Sequence, residues 1–419
     1  MTVQIESKPL SATTGEHSAN RCPIDHAGFS QQKTAQVIEP AGRPLEQDAA
    51  GVWHVRNFAE ARAILRQTDT KQAGFRAELI ERMPRSMKLP VLYQEGEAHL
   101  TQRKQTARFF TPKATSTNYR HLMETLSDQI VAELKRDGRA DLSALSMRLA
   151  VQVAAQVIGL TSSRLPGMDK RIDAFFTGGG PSLGWHPRAL YTFIRNQLRV
   201  AAFFYLDVLP AIQARKRQPQ EDLISHLIEQ GYGNGEILTE CITYGAAGMA
   251  TTREFISVAA WHLLEQPALR TRFLTGSDAE RDALLQETLR LEPVVGHLYR
   301  RATADLHLES NGQPVTIPAG DLIDLHVYAI NGDESVVGTD PLAICPGRQL
   351  ASERVPAAVM SFGDGHHRCP GAYIAIQESD IFLQRLLALD GLRMDGLPTL
   401  TWSDITKGYE LRDFMIRID

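Results

Sequence analysis

The chain has 419 residues, 43% of them hydrophobic and 22% charged, with a net charge of −4 and a pI near 6.4. This length and apolar content can fill a large core, and mild acidity with dispersed basic residues excludes an electrostatic nucleic-acid binder. No window reaches the roughly 18–20 apolar residues that span a bilayer; the most apolar stretch, residues 200–212, contains Asp207 and Pro210, and residues 1–21 lack an apolar signal core. The expectation is a cytoplasmic protein that does not enter a membrane.

Residues 1–35 read as a polar, loosely packed N-terminal segment. No linker, charge block or repeat interrupts residues 50–419, so 36–419 reads as one domain. Val52-Trp53-His54-Val55 predicts a strand. Asn57 then caps a helix with Phe58, Ala61, Ile64 and Leu65 on one face. Residues 70–95 show no clear period, and this loop is a natural place for substrate contacts. Helices are predicted at 97–110, 115–136, 143–158, 166–176, 188–206 and 221–230, with Gly138 and Gly159 where C-terminal caps belong. The segment from Gly178-Gly179-Gly180-Pro181 to His186-Pro187 reads either as a lid or as a plain connector.

Residues 235–265 predict one helix of about 45 Å, long enough to cross the domain. Gly245 and Gly248 weaken its interior. They suit either a flat ligand or a closely packed helix. Further on, residues 306–308 and 315–317 flank Asn311-Gly312, a hairpin signal. Pro318-Ala319-Gly320 marks a turn, and a last strand is expected near 414–416. The pattern is mainly helical with a minor β portion.

Four cysteines lie at 22, 241, 345 and 369 without C-x-x-C spacing, so neither zinc nor a disulfide framework is suggested. Cys22-Pro23-Ile24-Asp25-His26 is half a metal site at most and reads as an ordinary segment. Cys369 is different. It stands in Phe362-Gly363-Asp364-Gly365-His366-His367-Arg368-Cys369-Pro370-Gly371, which reads F-G-x-G-x-H-x-C-x-G. Glycines let such a loop approach a flat ligand closely. The cysteine sits where the loop enters an apolar helix, 372–389, whose N-terminus favours a thiolate.

Three more segments join it. They are His99-Leu100-Thr101-Gln102-Arg103, Ala247-Gly248-Met249-Ala250-Thr251-Thr252 and Glu287-Thr288-Leu289-Arg290. With these four in this order, the chain resembles the cytochrome P-450 family of haem-thiolate monooxygenases. The resemblance spans roughly residues 50–419.

The resemblance implies a large multi-helical P-450 fold with haem b buried between the long helix and the cysteine-loop helix. It implies Cys369 as axial iron ligand, a thiolate that favours O–O cleavage. His99, Arg103, Arg300 and His367 match the family's propionate positions, and carboxylates need such partners. Glu287 and Arg290, one helical turn apart, would join Arg348 in a buried structural network. Thr251 matches the threonine of the oxygen-activating helix, with Thr252 following. The family's acid before that threonine is Ala250 here. Glu254, one turn beyond, is either a substitute or an ordinary salt-bridge partner.

Candidate pocket positions by resemblance are Tyr244, Ala247, Val294, Val295, His297 and Tyr409, with His297 and Tyr409 as polar anchors. The expected reaction inserts one atom of dioxygen into a small to medium hydrophobic substrate, in a monomer. Electrons come from a ferredoxin- or flavodoxin-like protein docking on Lys104, Arg108 and Arg368. Ala250 keeps open peroxide-driven oxygenation or a non-oxygenating biosynthetic reaction. A haem sensor or carrier is a third alternative, which the retained Thr251 argues against.

Overall fold

Asn234–Glu265, a helix of 32 residues, is the axis of the molecule. At 1.5 Å per residue it runs about 48 Å. From Thr252 to Leu263 it is buried on all sides, the position a mostly apolar helix must take. The computed structural model describes residues 32–34, 42–80, 88–177 and 187–419. Most of the polar N-terminal segment, including Cys22–His26, lies outside the described residues, as do part of the aperiodic 70–95 segment and residues 178–186.

The helix Leu142–Ile158 packs along the axial helix. Gly248 faces it there: a Cβ at Gly248 would lie 3.5 Å from the Cβ of Ala154. A Cβ at that distance makes ordinary van der Waals contact, so the helix packing admits this glycine without requiring it. The helices Asp278–Leu291 and Ala372–Leu387 also pack on the axis. Further helices span Gly96–Thr106, Arg120–Asp137, Met168–Thr177, Pro187–Phe203 and Leu223–Glu229. Gly138 and Gly159 form the expected C-caps.

Two helices differ from expectation. The one expected at 115–136 opens with a wide turn, Thr115–Tyr119. The one expected at 188–206 passes through a wide turn at Phe204–Val208 and continues as Leu209–Arg217. Pro210 has no N–H for the Leu206 carbonyl one turn earlier, and that carbonyl accepts from the Arg164 N–H at 2.8 Å instead.

The strands are β1 (Leu45–Gln47), β2 (Trp53–Val55), β3 (Thr70–Gln72), β4 (Arg139–Asp141), β5 (His297–Ala302), β6 (Leu306–Ser310), β7 (Gln313–Ile317), β8 (Leu322–His326), β9 (Leu392–Met394), β10 (Thr399–Trp402), β11 (Tyr409–Arg412) and β12 (Met415–Ile418). The largest sheet has the order β1-β2-β8-β5-β3, with β2 and β8 parallel. β6 and β7 form the expected hairpin, with Ser310 opposite Gln313. Asn311 and Gly312 both take the positive φ that a two-residue type I′ turn needs. β10 pairs with β11, and β12 lies between β4 and β9.

Apolar side chains form two clusters. One surrounds the axial helix and includes Phe255, Ile256, Phe273, Leu285 and Phe382. The other underlies the five-stranded sheet with Val55, Ile64, Ile323, Leu325 and Met360. Fully burying one such side chain contributes about 1.5–3 kcal/mol.

Cys345 is disulfide-bonded, whereas Cys241 and Cys369 are free thiols. This corrects the expectation of no disulfide. The spacing of the cysteines does not reveal this bond. No helix among the described residues is long and apolar enough to cross a membrane.

Candidate active site

The cysteine loop is set by its glycines and by the first helix of the described residues, Phe58–Arg66. Gly365 has a φ of +65°, and a Cβ on it would lie 2.0 Å from the Leu65 carbonyl oxygen. No other residue permits that approach. Asp364 accepts the Gly365 N–H and pairs with Arg62 and Arg66 at 3.2 and 3.0 Å. The loop closes on itself through the Cys369 N–H, which donates to the Phe362 carbonyl at 2.8 Å.

Cys369 stands two residues before the N-cap of the helix Ala372–Leu387, which is Gly371. Its residue surface is open, yet desolvation by surrounding protein still pushes the thiol pKa up. The Gly371 N–H, Arg103 and Arg368 act against that shift. A sulfur that is both accessible and desolvated borders an internal space. The axial helix has a matching open patch: Ala247 is exposed between half-buried Ala246 and Gly248, and Thr251 is half-exposed between buried Ala250 and Thr252.

The four residues expected at carboxylates converge. The rings of His99 and His367 stack with centroids 4.1 Å apart. His367 Nε2 lies 3.0 Å from Glu95 Oε2. Arg103 donates to the Arg368 carbonyl. Arg300, on β5, is buried and donates to the Gln72 side chain and the Tyr299 carbonyl, both neutral.

Desolvation, His367 and Arg103 push His99 down to about 4, against the pull of Glu95. Desolvation lowers Arg300 to about 10, again opposed by Glu95. Burial also lowers His367, with the Glu95 hydrogen bond acting against it. Burial would raise Glu95 itself, but His367, the Gln72 N–H and Arg300 bring it below its usual value. Arg300, His99 and His367 thus share the Glu95 carboxylate, while Arg103 adds positive charge beside both histidines. Among the described residues Glu95 is the carboxylate placed against these cations, and two propionates would supply the further negative charge. With the accessible, desolvated sulfur, this donor set fits haem.

Glu287 and Arg290 form a bidentate pair at 2.7 and 2.8 Å. Arg348 donates to the same carboxylate at 3.0 Å, and the Cys345 N–H at 2.9 Å. Arg290 also donates to the carbonyls of Asn331 and Pro341, each at 2.8 Å. The structure brings all three expected partners together, and backbone carbonyls absorb the remaining arginine donors.

Thr251 Oγ1 donates to the Ala247 carbonyl at 2.5 Å on the open side. Thr252 is buried and donates to the Gly248 carbonyl at 2.7 Å. Ala250 offers no polar atom. Glu254 is buried and committed: it accepts from Arg253 at 2.8 Å, Arg412 at 2.7 Å and the Leu411 N–H at 2.7 Å.

The pocket candidates separate. Ala247 is open, Val295 half-buried and Val294 buried. Tyr244 is buried and stacks on Phe110 at 5.7 Å. The segment 294–296 is held against 406–408 by backbone contact: Cβ atoms at Gly296 and Gly408 would lie 1.9 and 2.0 Å from the Lys407 and Val294 oxygens. The two expected polar anchors are otherwise engaged. Tyr409 is fully buried, with its hydroxyl donating to the Glu292 carbonyl at 3.3 Å. His297 Nδ1 lies 2.8 Å from Asp324 Oδ1.

Sequence reading missed Glu95, Gln72 and Asp364. None falls in a motif as a charged position, and only the fold brings Glu95 and Gln72 to His367 and Arg300. A separate groove of about 600 Å³ is lined by Lys88, Gln94, Thr101, His226 and Tyr232, among others. Neither Cys369 nor Thr251 lines it, so it is not the reaction site.

Fold and site together define a haem-thiolate protein, and similarity to known proteins agrees. The family profile described as cytochrome P-450 matches residues 281–389. The biotin biosynthesis cytochrome P-450 of Bacillus subtilis is 27% identical over 85% of this chain and 86% of its own length. The nocardicin C N-oxygenase of Nocardia uniformis is 27% identical over 88% of this chain and 89% of its own. The mycinamicin IV hydroxylase/epoxidase of Micromonospora griseorubida is 25% identical over 88% and 90%. Among solved structures, P-450 BioI bound to an acyl carrier protein ligated with hexadec-9Z-enoic acid superposes with a TM-score of 0.71 at 23% identity, covering 90% of this chain and 95% of that one. The family profile, the curated relatives and the solved structures together support a cytochrome P-450. It is a monooxygenase of the oxidoreductase class, and its cofactor is haem b.

Proposed function

We propose that this enzyme inserts one oxygen atom from dioxygen into a small to medium hydrophobic substrate held against the Ala247–Thr251 face. The accessible yet desolvated Cys369 sulfur carries this reading. Bound haem supplies dioxygen chemistry, assisted by the charge of a cysteine thiolate. In this reading Cys369 holds the iron, and the Gly371 N–H moderates the charge on sulfur. Arg103, Arg300, His99 and His367 hold the propionates. Glu287, Arg290 and Arg348 brace the loop before Cys369 and touch no reacting atom.

Thr251 is the one hydroxyl of its pair on the open side. With its proton given to the Ala247 carbonyl, its oxygen is left to accept from water or substrate. Ala250 contributes nothing to proton delivery. Val294, Val295 and Ala247 supply apolar surface. Lys104, Arg108 and Arg368 are exposed, and Arg368 is joined to the Lys104 helix through Arg103. They suit an acidic ferredoxin- or flavodoxin-like donor. The same reading takes the protein as a cytoplasmic monomer.

A second reading is peroxide-driven oxygenation or a non-oxygenating biosynthetic reaction. It is favoured by Ala250 together with the commitment of Glu254 to Leu411 and Arg412. The acyl carrier protein belongs to the BioI structure; an acyl chain is one hydrophobic substrate class to include in screening.

The test has two parts. The reduced carbon monoxide complex should show the red-shifted Soret band of thiolate ligation, and Cys369→Ala should abolish it. A band retained in the mutant overturns the ligand assignment. Product formed with dioxygen and surrogate donor proteins supports the first reading; product formed only with peroxide selects the second.

A further inference from the structure

A second polar cluster lies on the five-stranded sheet, apart from the cysteine loop. His54 stands on β2, Asp324 and His326 on β8, and His297 on β5. Parallel pairing sets His54 opposite Asp324, and antiparallel pairing sets His297 opposite His326. Residues two apart on a strand share a face, so all four project from one side of the sheet.

Three atoms able to ligate a metal meet there. His54 Nδ1 lies 2.8 Å from His326 Nε2 and 3.8 Å from Asp324 Oδ2, and the latter two are 3.6 Å apart. Asp324 and His326 are buried and His54 is half-buried.

We propose that His54, Asp324 and His326 form a structural zinc site, with water in the fourth position. Ligand chemistry supports zinc. Two imidazoles and one carboxylate suit it, whereas magnesium and calcium favour oxygen throughout. Geometry supports it as well. Bonds of about 2.0–2.1 Å place tetrahedral ligand atoms roughly 3.3 Å apart. Octahedral neighbours at the same bond length are about 3.0 Å apart. Separations of 3.6 and 3.8 Å exceed the octahedral spacing, whereas the two imidazole nitrogens, 2.8 Å apart, must part by about 0.5 Å to reach the tetrahedral one. A point roughly 2 Å from all three atoms exists at this size of triangle.

The outer contacts are those a metal site uses. A ligating imidazole commonly gives its other N–H to a carboxylate. His54 Nε2 lies 3.1 Å from Asp48 Oδ2. Ligating carboxylates are themselves hydrogen-bonded, and Asp324 Oδ1 lies 2.8 Å from His297 Nδ1. Zinc here would clip the early strand β2 to β8 and β5. Arg300 lies on β5 beyond His297, so the clip would brace the strand that carries it. The rival arrangement is metal-free: one imidazole donates to the other, and the two carboxylates end the chain of hydrogen bonds.

The experiment uses full-length holoenzyme, so that Cys369 is engaged by haem iron. Protein stripped with EDTA and titrated with zinc sulfate should take up one zinc per chain at micromolar concentration. Tm should rise with zinc and fall again with EDTA. Zinc K-edge absorption should show nitrogen and oxygen neighbours only. His54→Gln and His326→Gln should lose the bound zinc and the zinc-dependent rise in Tm, while the Soret band of the carbon monoxide complex stays that of the parent. No zinc uptake by the parent protein overturns the proposal, as do sulfur neighbours at the zinc edge or equal uptake by the folded variants. If a variant fails to fold, uptake and edge spectrum of the parent still decide.

Discussion

Glu254 accepts the backbone N–H of Leu411 at 2.7 Å, tying the axial helix to β11. Arg253 and Arg412 complete its shell. A buried carboxylate with three donors is a structural group, and its removal strands those donors. The carboxylate nearest in sequence to the missing acid is therefore spent on the fold.

Proton delivery follows from this relationship. Ala250→Asp is expected to increase product formed per electron consumed in the dioxygen-driven reaction. Glu254→Gln is expected to lower stability by about 1.5–3 kcal/mol, the worth of a charged hydrogen bond, and to leave coupling unchanged. Coupling measured with surrogate donors checks both. Collapse of coupling in Glu254→Gln, at normal haem content, would show that Glu254 delivers protons after all.

The Glu287 network predicts a folding defect. Removing one partner of a buried pair is destabilising by about 3–5 kcal/mol. Glu287→Ala would strand both Arg290 and Arg348. Arg290→Ala would leave the carbonyls of Asn331 and Pro341 without their donor. Either variant should give little soluble holoprotein. Normal haem content and Tm in both would sink the prediction.

Glu378, on the cysteine helix, is 2% exposed, and its Oε1 has no hydrogen-bond partner among the described residues. Burial pushes its carboxyl up from 4.5 to about 8. The native state therefore keeps a proton that the unfolded chain releases. Its contribution falls as pH climbs from about 4.5 to about 8 and is level beyond. Glu378→Gln removes that dependence. Relative to the parent it should gain stability across the window, by an amount on the order of a few kcal/mol at the alkaline end. Denaturant melts at pH 5 and pH 8.5 measure it; the same difference between the two proteins at both pH values would refute it.

Pro370 follows the cysteine and has no N–H to offer the sulfur. Gly371 supplies the backbone donor instead. Pro370→Leu adds a second possible donor and should withdraw charge from sulfur. The ferric form then loses support, and the reduction potential should rise by tens of millivolts, where ~59 mV is a tenfold change for one electron. Redox titration of both proteins under identical substrate conditions tests this. An equal or lower potential in the variant would count against it.

Local chemistry was legible in the sequence. The spacing of glycines, histidine and cysteine from Phe362 to Gly371 marks the loop, because a tight approach and a helix-end thiolate need those residues at those intervals. The long helix and the Asn311-Gly312 turn were readable for the same reason: period and φ preference are properties of a few neighbouring residues. Position on the helix was partly readable too, since Thr251 and Ala250 stand in a recognisable run.

Tertiary structure decided what depends on partners far along the chain. Glu254 was ambiguous until β11 arrived beside it. Tyr409 and His297 matched pocket positions, but burial against Glu292 and pairing with Asp324 engage them. Glu95 and Gln72, outside any motif, complete the cationic cluster only because β3 pairs with β5. The disulfide at Cys345 and the meeting of His54, Asp324 and His326 have no local signature. Strand register and long-range packing place those atoms within 4 Å, and neither is written in the spacing of adjacent residues.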